Sequence, residues 1–250
     1  MPVHNAEAIV LRHYSLSDSD RIIVLFSREF GKIRAVAKGA KKPRNRLSGS
    51  LEPLTHIRLV FWEQEGRELS KIQQTEFIHA YLGKNPDLRK MAAFSYFAEL
   101  ANELVQDNQP NHALFRLFLA TLKAGDSRPV SEALIRYYEV WCLKLSGLFP
   151  DYAYCSNCGK CVKDDIFFAW IQAGQAQCPD CSGGQGVEVG APASRALSLM
   201  MTMAPGKFIS ESLGSEATQN LERLLQRLLD MHLEKKLKSV QILKEALENE

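Results

Sequence analysis

The sequence lacks the features that identify membrane and secreted proteins. Its apolar runs are short, such as Ile22 to Phe26, whereas a helix that spans a bilayer needs about 20 consecutive apolar residues. The first residues do not have the basic-then-apolar pattern of a secretory signal. We therefore expect a cytoplasmic protein with no membrane partner.

Catalytic signatures are missing as well. The chain has no Gly-x4-Gly-Lys-Ser/Thr phosphate loop, no Gly-x-Ser-x-Gly nucleophile elbow and no His-Glu-x-x-His zinc motif. Glu99 and Glu103 lie four residues apart on a predicted helix, but no second group of acids or histidines faces them, so we interpret them as surface charges. No set of residues offers a nucleophile, a base and a group to orient the base. We therefore predict a binding protein rather than an enzyme.

The net charge is also small, because 31 Lys and Arg residues stand against 29 Asp and Glu residues, which gives +2. The average hides a gradient along the chain. Residues 1–50 carry a formal charge of +6, and the remaining 200 residues carry −4. Such asymmetry indicates partners better than the total does, and it directs attention to the N-terminal segment.

The N-terminal third is predicted to be a small β-barrel. Its segments alternate apolar and polar residues or are rich in β-branched residues, as strands do. Five such segments occur, at residues 6–11, 21–27, 31–37, 53–62 and 68–77. A five-stranded OB-fold barrel, which binds oligonucleotides, is a natural candidate. Four aromatic residues of this region can stack on bases, but we expect them to lie in the barrel core: Phe26, Phe30, Phe61 and Trp62.

Positive charge is densest between Gly31 and Arg46, where seven of sixteen residues are basic and none is acidic. Lys or Arg residues that neutralise phosphates release counterions, which favours binding to nucleic acid. A solvated loop with no partner is the alternative interpretation. With two arginines of the first two strands, the predicted DNA-binding set is Arg12, Arg21, Lys32, Arg34, Lys38, Lys41, Lys42, Arg44 and Arg46.

From Pro86 onward the apolar residues recur at helical spacing. Helices are predicted over residues 88–104, 111–123, 131–145, 193–204 and 216–247, each with one apolar stripe. The leucines between Leu221 and Leu229 are expected to pack in a core, although a groove for a partner helix is the alternative. The sequence thus predicts an α+β protein, with an OB-fold DNA-binding domain at 1–82 and a mostly helical domain at 83–250.

Five of the six cysteines fall within 27 residues. In a reducing cytosol they are not expected to pair as disulfides. The Cys-x2-Cys, nineteen-residue, Cys-x2-Cys spacing is that of a zinc ribbon, in which four thiolates surround one Zn²⁺. We predict a structural zinc module over residues 150–190 with the ligands Cys155, Cys158, Cys178 and Cys181. Cys161 is expected to stand apart from the ligands, although it can substitute for one of them.

Several of these segments resemble the bacterial RecO recombination and repair proteins. Ala8 to Arg12 followed by Ser17 to Ser27 is similar to the opening of that family, and the similarity continues through Gly31 to Leu54. Leu143 to Gly159 resembles the family's helix and first zinc knuckle, and Leu228 to Leu243 resembles its last helix. Together these segments extend over most of the chain.

The resemblance implies an OB-fold barrel followed by a helical domain with a zinc module. It further implies binding to single- and double-stranded DNA and annealing of complementary strands. The implied protein partners are RecR, the C-terminal tail of the single-strand binding protein and, indirectly, RecA. A nucleoid-associated cytoplasmic location in a bacterium follows from these roles.

The residues by themselves leave two other functions open. An OB-fold with a zinc ribbon also suits an RNA-binding protein of the transcription or translation machinery. A protein-interaction scaffold, in which the basic loop has no partner, is the third possibility. Comparing the affinities for single-stranded DNA and RNA of equal length distinguishes the DNA-binding function from the RNA-binding one.

Overall fold

The computed structural model of the chain describes residues 2–42, 45, 47–63, 69–83, 86–210 and 213–248. Arg44 and Arg46 of the predicted DNA-binding set lie outside the described residues, as does the predicted turn at Glu65 and Gly66. Contacts group the chain into two compact units. The first comprises Met1–Asp126 with Leu237–Glu250, and the second comprises Ser127–Lys236. The boundary near residue 83 stays a prediction.

The first unit begins with a closed barrel of five strands in the order β1-β2-β3-β5-β4. β3 and β5 are parallel, the other neighbours are antiparallel, and β1 pairs with both β2 and β4. This confirms the predicted five-stranded OB-fold barrel. The strands are β1 (Val3–Ser15), β2 (Arg21–Ser27), β3 (Gly31–Ala37), β4 (Thr55–Trp62) and β5 (Ser70–Ala80).

Alternation along the strands fills the barrel with apolar side chains. In β3, Ile33, Ala35 and Ala37 are buried in the barrel core, while the residues between them face outward. Their partners across the sheet follow the same rule, because paired residues point to one face. Small alanines on β1 and β3 leave room for the larger core side chains, among them Phe61 with Phe30 packed beside it.

Five helices were predicted, and the described residues contain eight, because two short helices were not predicted and the last predicted helix is divided in two. The eight are α1 (Leu88–Leu104), α2 (His112–Ser127), α3 (Glu132–Leu145), α4 (Pro179–Ser182), α5 (Ala191–Thr202), α6 (Pro205–Phe208), α7 (Ser215–His232) and α8 (Ser239–Glu248). Polar side chains cap several of the helix starts, including those of α1 and α3. The Asp87 carboxylate accepts the Lys90 N–H at 2.6 Å, and the Ser131 hydroxyl accepts the Leu134 N–H at 3.3 Å, which are N-caps. None of the described helices has the length and apolar content needed to cross a membrane.

The prediction of one helix over 216–247 was wrong, because the chain leaves the helix at Leu233 and begins a new one at Ser239. α8 packs against α1 within the first unit. The Glu99 carboxylate of α1 accepts the N–H groups of Lys238 and Ser239 at 3.1 and 2.8 Å. Glu99 therefore caps α8, and its interpretation as a surface charge was also wrong.

Phe26 is buried, as predicted, but it faces away from the barrel core. Its ring lies 5.3 Å from the ring of Phe115 in α2. Trp62 likewise points outward, and its ring lies 4.6 Å from the Lys71 ammonium. Two of the four aromatic residues expected in the barrel core therefore lie on its outer wall.

The second unit combines helices with a small sheet. α7 packs against both α3 and α5, and its leucine seam forms the buried contact, as predicted. Trp141 of α3 donates its indole N–H to the Met200 carbonyl of α5 at 3.0 Å. The sheet has the order β7-β6-β8, with β6 (Phe167–Trp170) between β7 (Gln175–Gln177) and β8 (Val187–Val189).

Candidate nucleic-acid interface and metal centre

The outer face of β3 and the loop that follows it carry the predicted basic residues. Lys32 and Arg34 alternate with the buried residues of β3, so both point outward. Arg12 on β1 and Arg34 on β3 both pair with Val24 of β2, which places the two arginines on either side of it. Lys38 and Lys42 of the loop are exposed.

Lys32 faces outward, but its ammonium group already has partners within the protein. Its side chain is only 11% exposed, and its ammonium donates to the Asn102 carbonyl at 2.9 Å and lies 3.5 Å from the Asp107 carboxylate. The backbone of Lys32 also bonds to Gln106 and Asn108. Lys32 therefore ties the barrel to the end of α1. Arg34 lies 3.3 Å from Asp107 but remains half exposed.

Two further basic residues of the predicted set are bonded within the barrel. The Arg21 guanidinium lies 2.8 Å from the Glu52 carboxylate, which also lies 3.4 Å from the His13 ring. The Lys41 ammonium donates to the Ser15 hydroxyl and to the Ser17 carbonyl. Of the predicted set, the described residues that are exposed to solvent are Arg12, Arg34, Lys38 and Lys42.

The loop between β1 and β2 holds the basic loop in place. The Lys41 N–H donates to the Ser19 carbonyl at 3.0 Å, and the Gly39 N–H donates to the Asp20 carboxylate at 2.8 Å. The Gly39 and Ser19 donors, with Lys38 and Lys42 nearby, hold the pKa of Asp20 below its usual value. Asp20 is thus a charged acceptor at neutral pH that orders a loop of cations.

The two Cys-x2-Cys knuckles are formed by tight turns. In the first, the Gly159 N–H donates to the Cys155 carbonyl at 2.9 Å, and Gly159 has a φ of +74°, which favours glycine. In the second, Cys178 precedes α4, and its carbonyl accepts the Cys181 N–H at 3.1 Å. Each turn directs its two sulfurs to the same side.

The four predicted ligand sulfurs all lie within 4.8 Å of one another, so this group can hold a metal ion. The Sγ atoms of Cys158 and Cys178 are 3.7 Å apart. Tetrahedral coordination at 2.3 Å places ligand sulfurs about 3.8 Å apart, so the arrangement fits such an ion. Cys161 is not in this group. It is exposed, and its backbone pairs with that of Tyr154.

The protein stabilises negative charge on one sulfur of the group. Backbone N–H groups of Cys158, Cys178 and Asn157 point at the Cys155 sulfur and lower its pKa to about 6. The neighbouring sulfurs of Cys178 and Cys158 instead raise the pKa of Cys181 to about 12. A cation bound between the sulfurs would counteract this rise in the pKa of Cys181, because the thiolate is the form that binds metal.

The module is anchored on the small sheet of the second unit. The Ser156 N–H donates to the Ala176 carbonyl of β7 at 2.8 Å, which joins the first knuckle to the sheet. The rings of Tyr152 and Phe167 (β6) contact each other, with centroids 5.3 Å apart and planes tilted by 31°. Four sulfur ligands leave no open coordination position, so the arrangement suits a structural ion rather than a catalytic one.

The chain matches two family models that follow one another along it. Residues 1–81 match the model described as Recombination protein O N terminal, and residues 85–241 match Recombination protein O C terminal. The DNA repair protein RecO of Koribacter versatilis is 35% identical over 95% of this chain and 97% of its own length. The RecO protein of Anaeromyxobacter sp. strain K is 32% identical over 95% and 94%. The chain belongs to the RecO family of DNA repair proteins.

Proposed function

We propose that this protein binds single- and double-stranded DNA through the outer face of its barrel and anneals complementary strands. The observation that supports this most is the group of exposed cations Arg12, Arg34, Lys38 and Lys42 on a barrel of the RecO family. Contacts to phosphates hold DNA without reading its sequence. Arg44 and Arg46 are further candidates from the same loop.

The cations already bonded within the barrel have a supporting part in this proposal. Lys32 ties β3 to the end of α1, Arg21 joins β2 to Glu52, and Lys41 holds the loop after β3. Their charges still add to the positive potential of the face. The nine predicted residues therefore divide into groups that contact phosphates and groups that position them.

Annealing on such a face requires no chemistry. Two strands repel each other through their phosphates, and a basic surface that neutralises part of this charge lets them approach. The same surface raises the local concentration of both strands. We therefore propose a non-catalytic role, in which the protein accelerates pairing without cleaving or joining DNA.

For the metal centre we propose one structural Zn²⁺ bound by the four cysteines of the knuckles. The support is the all-thiolate donor set and the sulfur spacing described above. Such a site contributes its binding energy to folding. The ion would hold the two knuckles together and stabilise the small sheet of the second unit.

The family also suggests the protein's partners. We propose that it works with RecR, binds the C-terminal tail of the single-strand binding protein, and thereby helps to load RecA in the bacterial cytoplasm, in association with the nucleoid. A basic barrel face also suits RNA, because RNA and DNA both have phosphate backbones. Membership of the chain in the RecO family favours DNA.

Strand annealing tests this function. Complementary labelled DNA strands, either bare or precoated with single-strand binding protein, are mixed with the protein and the duplex is followed over time. We expect faster annealing of both substrates, and competition by unlabelled DNA exceeding competition by RNA of equal length. No acceleration on bare strands would contradict the proposal, and stronger competition by RNA would favour the alternative.

A further inference from the structure

The connection between α1 and α2 lies along one edge of β3. Among the described strands, β5 pairs with only the second half of β3, so this edge of its first half is left to another partner. The Lys32 N–H donates to the Gln106 carbonyl at 3.2 Å, and the Asn108 N–H donates to the Lys32 carbonyl at 3.0 Å. Asp107 is held between these two bonds, directly beside Lys32.

Unusual backbone geometry on both segments maintains this close approach. Asn108 has a φ of +56°, in the left-handed region that residues with a side chain seldom adopt. On the strand, a Cβ atom at Gly31 would lie 1.9 Å from the Gln109 carbonyl oxygen, so the position requires glycine. Such a conformation persists only where the surrounding contacts hold it. The placement of Asp107 against β3 is therefore specified by both segments.

The Asp107 carboxylate faces two cations of β3. Its Oδ1 atom lies 3.5 Å from the Lys32 ammonium, and its Oδ2 atom lies 3.3 Å from the Arg34 guanidinium. Lys32 is nearly buried and also donates to the Asn102 carbonyl, whereas Arg34 and Asp107 are both half exposed. The basic segment 31–46 contains no acid of its own. Asp107 thus brings a negative charge to Arg34 from a distant part of the sequence.

The geometry of the Arg34–Asp107 pair allows its partners to exchange. Its 3.3 Å separation exceeds the roughly 2.7–2.9 Å of a strong charge-assisted hydrogen bond. Both groups reach solvent, and exposed ion pairs contribute little to stability. A phosphate presents oxygens to a guanidinium in the same way as a carboxylate does. A DNA phosphate that reaches Arg34 can therefore take the place of the Asp107 carboxylate.

We propose that Asp107 is a built-in competitor of DNA phosphates, which occupies Arg34 in the free protein and is displaced when DNA binds. This inference rests on the proposed DNA binding and adds a regulatory contact to it. The displaced carboxylate stays beside the bound strand and repels its phosphates, so the contact at Arg34 is weaker than the cation alone would make it. Annealing ends with release of the duplex, which a weakened contact favours.

Asp107→Asn tests the proposal, because it removes the charge and keeps the size of the side chain and the backbone bonds around it. A competitor and a residue that orients Arg34 for DNA predict changes of opposite sign. We expect the affinity for single-stranded DNA to rise by about threefold, as the loss of an exposed ion pair allows. The control is Glu103→Gln, since Glu103 is an exposed acid near the end of α1 that accepts from the Asn102 side-chain amide. It should leave the affinity nearly unchanged.

A second pair of variants identifies the cation for which Asp107 competes. Arg34→Gln is compared with the double variant that carries Arg34→Gln and Asp107→Asn. Without Arg34, the Asp107 substitution should change the affinity no more than Glu103→Gln does, because the contested cation is absent. Thermal unfolding of each variant is measured alongside its DNA affinity.

Three results would overturn the inference. Unchanged affinity in Asp107→Asn would leave the carboxylate without an effect on DNA binding, and weaker binding, with or without a lower melting temperature, would give Asp107 a positioning or structural role. An equal gain with and without Arg34 would show that Asp107 does not act through that residue. If the unsubstituted protein binds no DNA even at low salt, the proposed function itself fails.

Discussion

The Asp20 carboxylate, at the end of one loop, accepts the backbone N–H of Gly39, in the next, at 2.8 Å. Gly39 has a φ of +66°, and a Cβ atom there would lie 2.9 Å from the Asn45 side chain, so the position suits glycine. Through this bond an acidic side chain fixes the start of a strongly basic loop. If this loop binds DNA as proposed, the bond and the negative charge of Asp20 have opposite effects on that binding.

Asp20→Ala distinguishes these two effects. Removing an acid from a basic face should tighten DNA binding if charge alone matters, whereas loss of the Gly39 bond should weaken binding because the loop must then be ordered on contact. We expect weaker binding, measured as the equilibrium affinity for single-stranded DNA. Asp18→Ala is the matched control, because Asp18 is an exposed acid of the same loop and should show only the charge effect. Tighter binding in Asp20→Ala would contradict a positioning role.

The metal centre is tested by exchanging single cysteines. We expect one Zn²⁺ per chain in the unsubstituted protein and in Cys161→Ser, because Cys161 lies outside the four-sulfur group. Cys158→Ser should lose the ion and melt at a lower temperature, since metal binding contributes to folding. Elemental analysis and thermal unfolding measure both effects. Loss of the ion in Cys161→Ser as well would show that the ligand set is different.

Glu99→Ala tests the cap of α8. Removing the acceptor of the Lys238 and Ser239 N–H groups should lower the free energy of unfolding by about 1 kcal/mol, the usual cost of losing a helix cap. Glu103→Ala, four residues further along the same helix and exposed, should have little effect. Urea denaturation compares the two variants. Equal stability of both would show that Glu99 contributes nothing to the start of α8.

Local pattern was sufficient to predict most of the fold. The alternation of Ile33, Ala35 and Ala37 in β3 is visible in the sequence because burial on one face of a strand imposes a period of two. Knuckle spacing likewise predicted the four sulfurs that the structure brings together. In both cases the residues that determine the geometry are close in sequence or repeat at a fixed spacing.

The remaining features depend on contacts between distant segments. Leucines recur at helical spacing through Leu233 and Leu237, so the pattern indicates one helix. The carboxylate that caps the second helix belongs to Glu99, far upstream. In the same way, the basic residues of 31–46 look equivalent in sequence. Only the fold shows that Lys32 is bonded to Asn102, while Lys38 is exposed.

The outward position of Trp62 was not predicted for a related reason. Trp62 was expected in the core because aromatic residues of strands usually face inward, and Tyr14 lies at the end of a strand that continues beyond its predicted limit. Which residues share a face of the barrel is decided by the register between the five strands. That register includes a bulge between Val10 and Arg12, which reverses the face of the residues that follow it.

The most direct test of the account is the DNA affinity of a variant in which the four exposed cations of the barrel face are reversed to Glu. The variant changes Arg12, Arg34, Lys38 and Lys42. A control variant reverses an equal number of exposed cations in the second unit, namely Lys207, Arg223, Lys235 and Lys236. Affinity for a single-stranded DNA of fixed length is measured over a range of salt concentrations.

We expect the barrel variant to lose most of its DNA affinity and to show a salt slope shallower by about 3, since each lost phosphate contact on a single strand contributes about 0.7. The control variant should keep the greater part of its affinity and the original slope. Unchanged affinity and slope in the barrel variant, or an equal loss in the control, would contradict the claim that the barrel face binds DNA.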